Sequence, residues 1–236
     1  MPNTYFRFKQ FTIQQDRTAM KVCTDSCILG ACTALRLQGA KKILDIGTGT
    51  GLLSLMLAQK TMAHIDSIES DTDSFSQAVE NINQSSWHDR IRIIEGDARH
   101  YSFDSKYDII ISNPPFYESD LRSPVHKKNK AKHEVSLSLD ELMQVILANL
   151  SDDGVFSILL PFHRTNYFLK LAKANGFFLR EKITIKPTPS HEAFRSICLF
   201  GYKKPEHTIL EDLTIKNGEG KNSLKFAELM KDYYER

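Results

Sequence analysis

The chain has 236 residues, of which 41% are hydrophobic, 25% charged and 10% aromatic; it can bury a sizeable core and is too apolar for a disordered or fibrous protein. Thirty-one Lys and Arg against 29 Asp and Glu give a net charge of +2, which announces no nucleic-acid partner, so any basic footprint has to be local. No run approaches the roughly 18 apolar residues of a membrane span, and the opening MPNTYFRFKQF lacks the apolar core of a signal peptide. Cys23, Cys27, Cys32 and Cys198 have neither a CxxC spacing nor disulfide-framework density. We therefore expect a cytoplasmic protein with reduced thiols, no membrane association and no metal site.

In chain order, Tyr5, Phe6, Phe8, Phe11 and Ile13 suggest extended segments, and Asp25 is placed to cap a helix running to about Leu37. Residues 1–38 are expected to pack as a cover on a catalytic domain over 39–203. Lys42–Ile46 is an apolar run ending in glycines, and the LLSLMLAQ that follows suits a buried helix. Next come a strand over 63–69, a helix over 74–85, a strand over Ile91–Glu95 and a central buried strand over Tyr107–Ser112. Beyond a long loop, the pattern predicts a helix over 139–150, a turn at 151–154 and a strand over 155–160 stopped by Pro161. A helix over 164–175 ends at Gly176, and 177–185 with 196–202 read as an antiparallel hairpin at one sheet edge. The tail, 204–236, is read as a docked surface helix over 223–234 with Leu224, Ala227, Leu229 and Tyr233 on its apolar face.

The most specific local feature is Asp45-Ile46-Gly47-Thr48-Gly49-Thr50-Gly51, where a strand enters a three-glycine turn that lets a ligand approach the backbone. It is not a dinucleotide fingerprint, because the sixth residue from Gly47 is Leu52 and from Gly49 is Ser54; nor does a Gly-Lys-Ser/Thr follow as in a phosphate loop. At the tip of the next strand Glu69 is placed to accept both hydroxyls of a ribose. Asp71 is its competitor, with the alternative role of opening the following helix. The third strand ends in Glu95-Gly96-Asp97-Ala98, which sets Asp97 beside an adenine amine.

These residues resemble the class I S-adenosylmethionine-dependent methyltransferases, whose D/E-x-G-x-G-x-G loop is matched from Asp45 to Gly51. The resemblance covers about residues 40–203. It implies an α/β, Rossmann-like sheet of seven strands, the last antiparallel, with helices on both faces. It further implies S-adenosylmethionine as cofactor, ribose contact by Glu69 and adenine contact by Asp97 and its neighbour Ala98.

The fourth strand ends in Asn113-Pro114-Pro115-Phe116, and two consecutive prolines make a stiff corner. Alone, such a tripeptide is most often a structural turn. After a methyltransferase-type loop it reads as the amine-binding corner: the Asn113 side-chain oxygen and the Pro114 carbonyl accept N–H bonds from an exocyclic amine, and Phe116 stacks the base. Between this corner and the next helix, Arg122, Lys127, Lys128, Lys130 and Lys132 give +5 in twelve residues with no acid, which suits a phosphate backbone or a solvated surface loop. Phe6-x-Phe8-Lys9-Gln10-Phe11, Met20-Lys21-Val22, Thr24-Asp25, Glu80-Asn81-Ile82 and the Asn113 corner together resemble bacterial tRNA adenine-N6 methyltransferases acting beside the anticodon of a valine tRNA. That likeness implies a tRNA partner, methylation of adenine 37, and Lys21, Thr24 and Asp25 lining the cofactor site; Cys23 departs from the Val-Gly-Thr-Asp pattern. The alternatives are another RNA target (guanine N2 or adenine N6 in rRNA), a protein glutamine as in release-factor methyltransferases, and a non-enzymatic RNA-binding module. The oligomeric state is left open, with a monomer as the simplest expectation.

Overall fold

The computed structural model describes residues 3–18, 20–115 and 137–235. Strands buried on both faces need near-continuous apolar runs, and β3 (Lys42–Ile46), β6 (Tyr107–Ser112) and β7 (Leu150–Pro161) have them at the centre of an eight-stranded sheet. On one side lie β4 (His64–Glu69) and β5 (Ile91–Glu95). On the other lie β9 (Arg195–Gly201), β8 (Phe178–Lys186) and β10 (Ile209–Thr214), giving the order β10-β8-β9-β7-β6-β3-β4-β5. Only β9 runs antiparallel, to both β7 and β8. The chain turns in opposite directions from β3, toward β4 and toward β6, and open α/β sheets bind ligands beyond the carboxyl ends at such a switch.

Side chains alternate across β3, so Ile43 packs on one face while Leu44 and Ile46 pack on the other. The first face is covered by α1 (Thr24–Ala34), α2 (Leu52–Ala58), Ile82 of α3 (Thr72–Asn83) and α6 (Leu224–Met230). The second is covered by α4 (Leu139–Asn149) and α5 (Thr165–Ala174), around a ring cluster of Phe156, Phe168, Phe177 and Phe200. A short hairpin of β1 (Tyr5–Arg7) and β2 (Thr12–Gln14) lies against the first face, with Phe8 stacked on Phe11 at 4.5 Å and Phe11 edge-on to Trp87 at 5.9 Å. The Lys9 backbone N–H donates to the Tyr233 carbonyl at 2.9 Å, so the two ends of the chain meet there.

Several expectations are corrected. The sheet has eight strands rather than seven, because the tail contributes β10, paired in parallel with β8. The β8–β9 pair is therefore not a free edge: β10 covers it, and β9 lies inside. The expected turn at 151–154 is absorbed into β7, whose pairing with β6 shifts between Tyr107↔Leu150 and Ile109↔Val155. In the tail helix, Leu224 is 90% exposed and Ala227 is exposed; the buried face is Phe226 and Met230, with Tyr233 just beyond. Asp25 does not cap α1: Cys23 occupies the N-cap without a side-chain bond, and Asp25 sits inside the first turn.

Candidate active site

The carboxyl ends of β3, β4, β5 and β6 surround one open cavity lined by Gly47, Gly49, Glu69, Asp71, Asp97, Ala98, Asn113, Pro114 and Pro115, with Met20 and Leu137 at its margins. Gly47 (φ +72°) and Gly49 (φ +58°) have nothing within 4 Å of where a Cβ would stand, so the loop presents bare backbone to the space. Glu69 is held by three backbone donors: Gly49 N–H to Oε2 at 2.8 Å, and Ser70 and Asp71 N–H to Oε1 at 2.9 Å each. These bonds fix the carboxylate, and an ionised carboxylate has lone pairs left for two hydroxyls. Asp71 caps α3, accepting from Ser74 N–H at 2.9 Å, while also lining the cavity.

Asp97 is gripped by Arg99, whose Nη2 donates to Oδ2 at 2.6 Å and whose Nη1 reaches Glu141 Oε1 at 3.0 Å. The Arg99 bonds hold the Asp97 carboxyl below its usual range. Glu141 falls to about 2, chiefly through the Ser138 backbone and hydroxyl bonds of the α4 capping box and then through Arg99. Both are anionic at neutral pH, which leaves Asp97 an acceptor for an amine.

Five predicted cofactor residues do not line the cavity. Asp45 is fully buried: it faces α2, accepting from Thr48 Oγ1 at 2.6 Å and Ser54 Oγ at 2.7 Å, and so braces the glycine loop from behind. Burial pushes its carboxyl up to about 6, with the two hydroxyls opposing and the Glu69 charge adding to the rise. Gly51 caps α2 at φ +81°, where a Cβ would lie 3.2 Å from Ile82 Cδ1. Lys21 is exposed and donates to the Gln15 carbonyl, Thr24 is exposed at the start of α1, and Asp25 beside it is buried and accepts from Arg195. Phe116, Arg122, Lys127, Lys128, Lys130 and Lys132 lie outside the described residues.

Asn113 carries the most informative geometry. Its Nδ2 donates to Ser26 Oγ at 2.8 Å, while its Oδ1 is buried and has no hydrogen-bond partner among the described residues. A buried acceptor without a donor costs about 1 to 3 kcal/mol, and beside a ligand cavity a bound ligand's N–H is one source of the missing donor. Sequence reasoning missed Ser26, 87 residues distant, and the neighbouring bond from Arg195 Nε to Asp25 Oδ2 at 2.8 Å that fastens the start of α1. Asn81, noted only as part of a motif, takes Gln14 N–H on its Oδ1 at 2.8 Å and donates to the carbonyls of Gln14 and Thr50 at 2.9 Å each, tying the N-terminal hairpin to the glycine loop.

Residues 27–142 match the methyltransferase small domain family model. Curated relatives from Dyadobacter fermentans (44% identical, covering 98% of each chain) and Phocaeicola vulgatus (38% identical, covering 99% of each) are both named tRNA1(Val) (adenine(37)-N6)-methyltransferase. Among solved structures, a predicted O-methyltransferase from Agrobacterium tumefaciens superposes with a TM-score of 0.64 at 16% identity, over 88% of this chain and 96% of that one, which supports the fold alone. With the glycine loop and the Asn113 corner at the same sheet edge, the chain belongs to the tRNA1(Val) (adenine(37)-N6)-methyltransferase family of class I, S-adenosylmethionine-dependent enzymes.

Proposed function

We propose that this protein is a cytoplasmic enzyme that methylates the N6 amine of an unpaired adenine in tRNA, adenine 37 of a valine tRNA being the target its relatives' names indicate. The observation that carries this reading is the Asn113 Oδ1, without a hydrogen-bond partner among the described residues, beside a rigid Pro114-Pro115 corner. When bound, S-adenosylmethionine supplies an electrophilic methyl group on a sulfonium. Gly47 and Gly49 would cradle it by backbone, Glu69 would accept from its ribose and Asp97 from its adenine amine.

An adenine amine is a poor nucleophile because its lone pair is conjugated with the ring. Asn113 Oδ1 and the Pro114 carbonyl, accepting its two N–H groups, hold the nitrogen so that its lone pair faces the donor, and positioning of this kind supplies much of a barrier reduction. The nitrogen releases one proton after the N–C bond forms, and no strong base is required. Incubating the protein with labelled S-adenosylmethionine and unmodified valine tRNA, then mapping the methylated nucleoside by mass spectrometry, tests the reading. Asn113→Ala is expected to lower kcat on the order of a hundredfold. Methylation that survives Asn113→Ala unchanged overturns the mechanism, and label found only on a protein glutamine overturns the substrate.

A further inference from the structure

The stretch from Pro161 to Arg180 contains no Asp or Glu but holds Arg164, Lys170, Lys173 and Arg180, a second acid-free basic segment of the sequence besides 122–133. It begins at the tip of β7, next to that corner. Ile158 pairs with Ser112 and β7 runs on to Pro161, so at about 3.3 Å per residue Phe162 stands roughly 13 Å beyond the level of Ser112, one strand across. The chain then makes a short 3-10 turn, Phe162–Arg164, and α5 descends along the outside of the sheet.

Two large aromatic side chains are exposed on this shoulder, Phe162 at 43% and Tyr167 at 40%. The Arg164 guanidinium lies 4.5 Å from the Tyr167 ring centroid, and the Tyr167 hydroxyl donates to Asp140, so the ring and the cation form a fixed, stacked pair. Tyr167, Lys170 and Lys173 are all exposed on successive turns of α5, below His163. Exposed rings beside cations are the chemistry by which proteins hold unpaired bases and the phosphates joining them. Placed about one or two nucleotides' reach from the amine-binding corner, they fit the neighbours of an extruded base rather than the base itself.

We infer that Phe162, the Arg164–Tyr167 stack, Lys170 and Lys173 form an RNA-docking shoulder that grips the unpaired nucleotides and backbone flanking the target adenine. This rests on the tRNA reading above. It assigns substrate affinity to α5 of the folded domain, separately from the basic residues between 122 and 133.

The test uses the full chain with valine tRNA, measuring KM and kcat as a function of KCl, with direct tRNA binding by filter retention in parallel. In the double variant Lys170→Ala/Lys173→Ala, two lost phosphate contacts at about 0.7 log unit each in 0.1 M salt raise KM and Kd roughly twentyfold and reduce the salt slope by about 1.5. Phe162→Ala and Tyr167→Ala each weaken tRNA binding on the order of tenfold. S-adenosylmethionine affinity stays at the wild-type value in all of them, and Tm does so in Lys170→Ala/Lys173→Ala, whose side chains are exposed; Phe162→Ala and Tyr167→Ala, which also remove part-buried packing and, for Tyr167, the Asp140 bond, are read well below their own Tm. Unchanged tRNA affinity and salt slope across the variants overturn the shoulder. If the wild type binds tRNA without methylating it while the variants bind more weakly, the reaction is wrong and the shoulder stands.

Discussion

Replacing Asp45 with Asn is expected to stabilise the protein at neutral pH, even though it alters the first residue of the glycine loop. Asp45 is fully buried, its Oδ1 has no partner among the described residues, and its carboxyl is raised from an ordinary 3.8 to about 6. A carboxyl that holds its proton more tightly in the folded chain than in the unfolded one favours folding below the unfolded pKa. That contribution is lost as pH rises through the folded pKa. At about 1.4 kcal/mol per pH unit, the interval from 3.8 to about 6 amounts to roughly 3 kcal/mol. An amide in the same place does not titrate, keeps one acceptor for the Thr48 and Ser54 hydroxyls, and takes no charge into the core. Urea unfolding of wild type and Asp45→Asn side by side, from about pH 4 to about pH 8, isolates the effect as a difference in ΔG. That difference should climb toward the variant between 3.8 and about 6 and level off above it. A difference that is flat or falls across the interval would refute the reasoning, since it would mean that the buried carboxyl ionises as readily in the folded chain as in the unfolded one.

Ser26→Ala removes the acceptor of the Asn113 Nδ2 bond and is expected to lower kcat about tenfold with S-adenosylmethionine affinity unchanged, as read by steady-state kinetics and calorimetry. An equal loss of cofactor affinity would mean that Ser26 only seats α1. Phe226→Ala empties a site that is 2% exposed and should cost about 3 to 4 kcal/mol in urea unfolding; a loss under about 1 kcal/mol would show that the tail docks without this ring.

Three strands were legible to the residue: Lys42–Ile46 and Tyr107–Ser112 are apolar runs ended by Gly and by Asn-Pro, and their central burial leaves little freedom in where they stop, while Ile91–Glu95, an edge strand with Arg92 and Glu95 exposed, is ended by Gly96. The glycine loop was equally plain, because its positive φ angles demand Gly. By contrast β10 has a single buried side chain, Leu213, with Ile209 and Leu210 at the surface, so its sequence carries almost no period. The Asp25 cap failed for another reason. An acid in the first turn suits the helix dipole from local sequence alone, while its actual partner, Arg195, is 170 residues away. The same distance hid Ser26, so the residues that chemistry requires could be named, and those that hold them in place could not.

The bond between Lys9 and Tyr233 has a consequence for how the enzyme comes into being. Synthesis proceeds from the N-terminus, and the hairpin emerges among the first segments. Its aromatic seat, however, includes Tyr234 beside Phe6 and Phe8, made only after the whole sheet has been synthesised. The hairpin also holds the glycine loop through Asn81, and α1 holds Asn113 through Ser26. A nascent chain can therefore assemble its central strands early, yet the seat of the hairpin that braces its active site stays unfinished until Tyr233 and Tyr234 arrive. A chain cut before Leu224 keeps every residue that lines the cavity and loses Tyr233 and Tyr234 from the seat of the N-terminal hairpin, leaving the Asn81 bonds to tie that hairpin to the glycine loop.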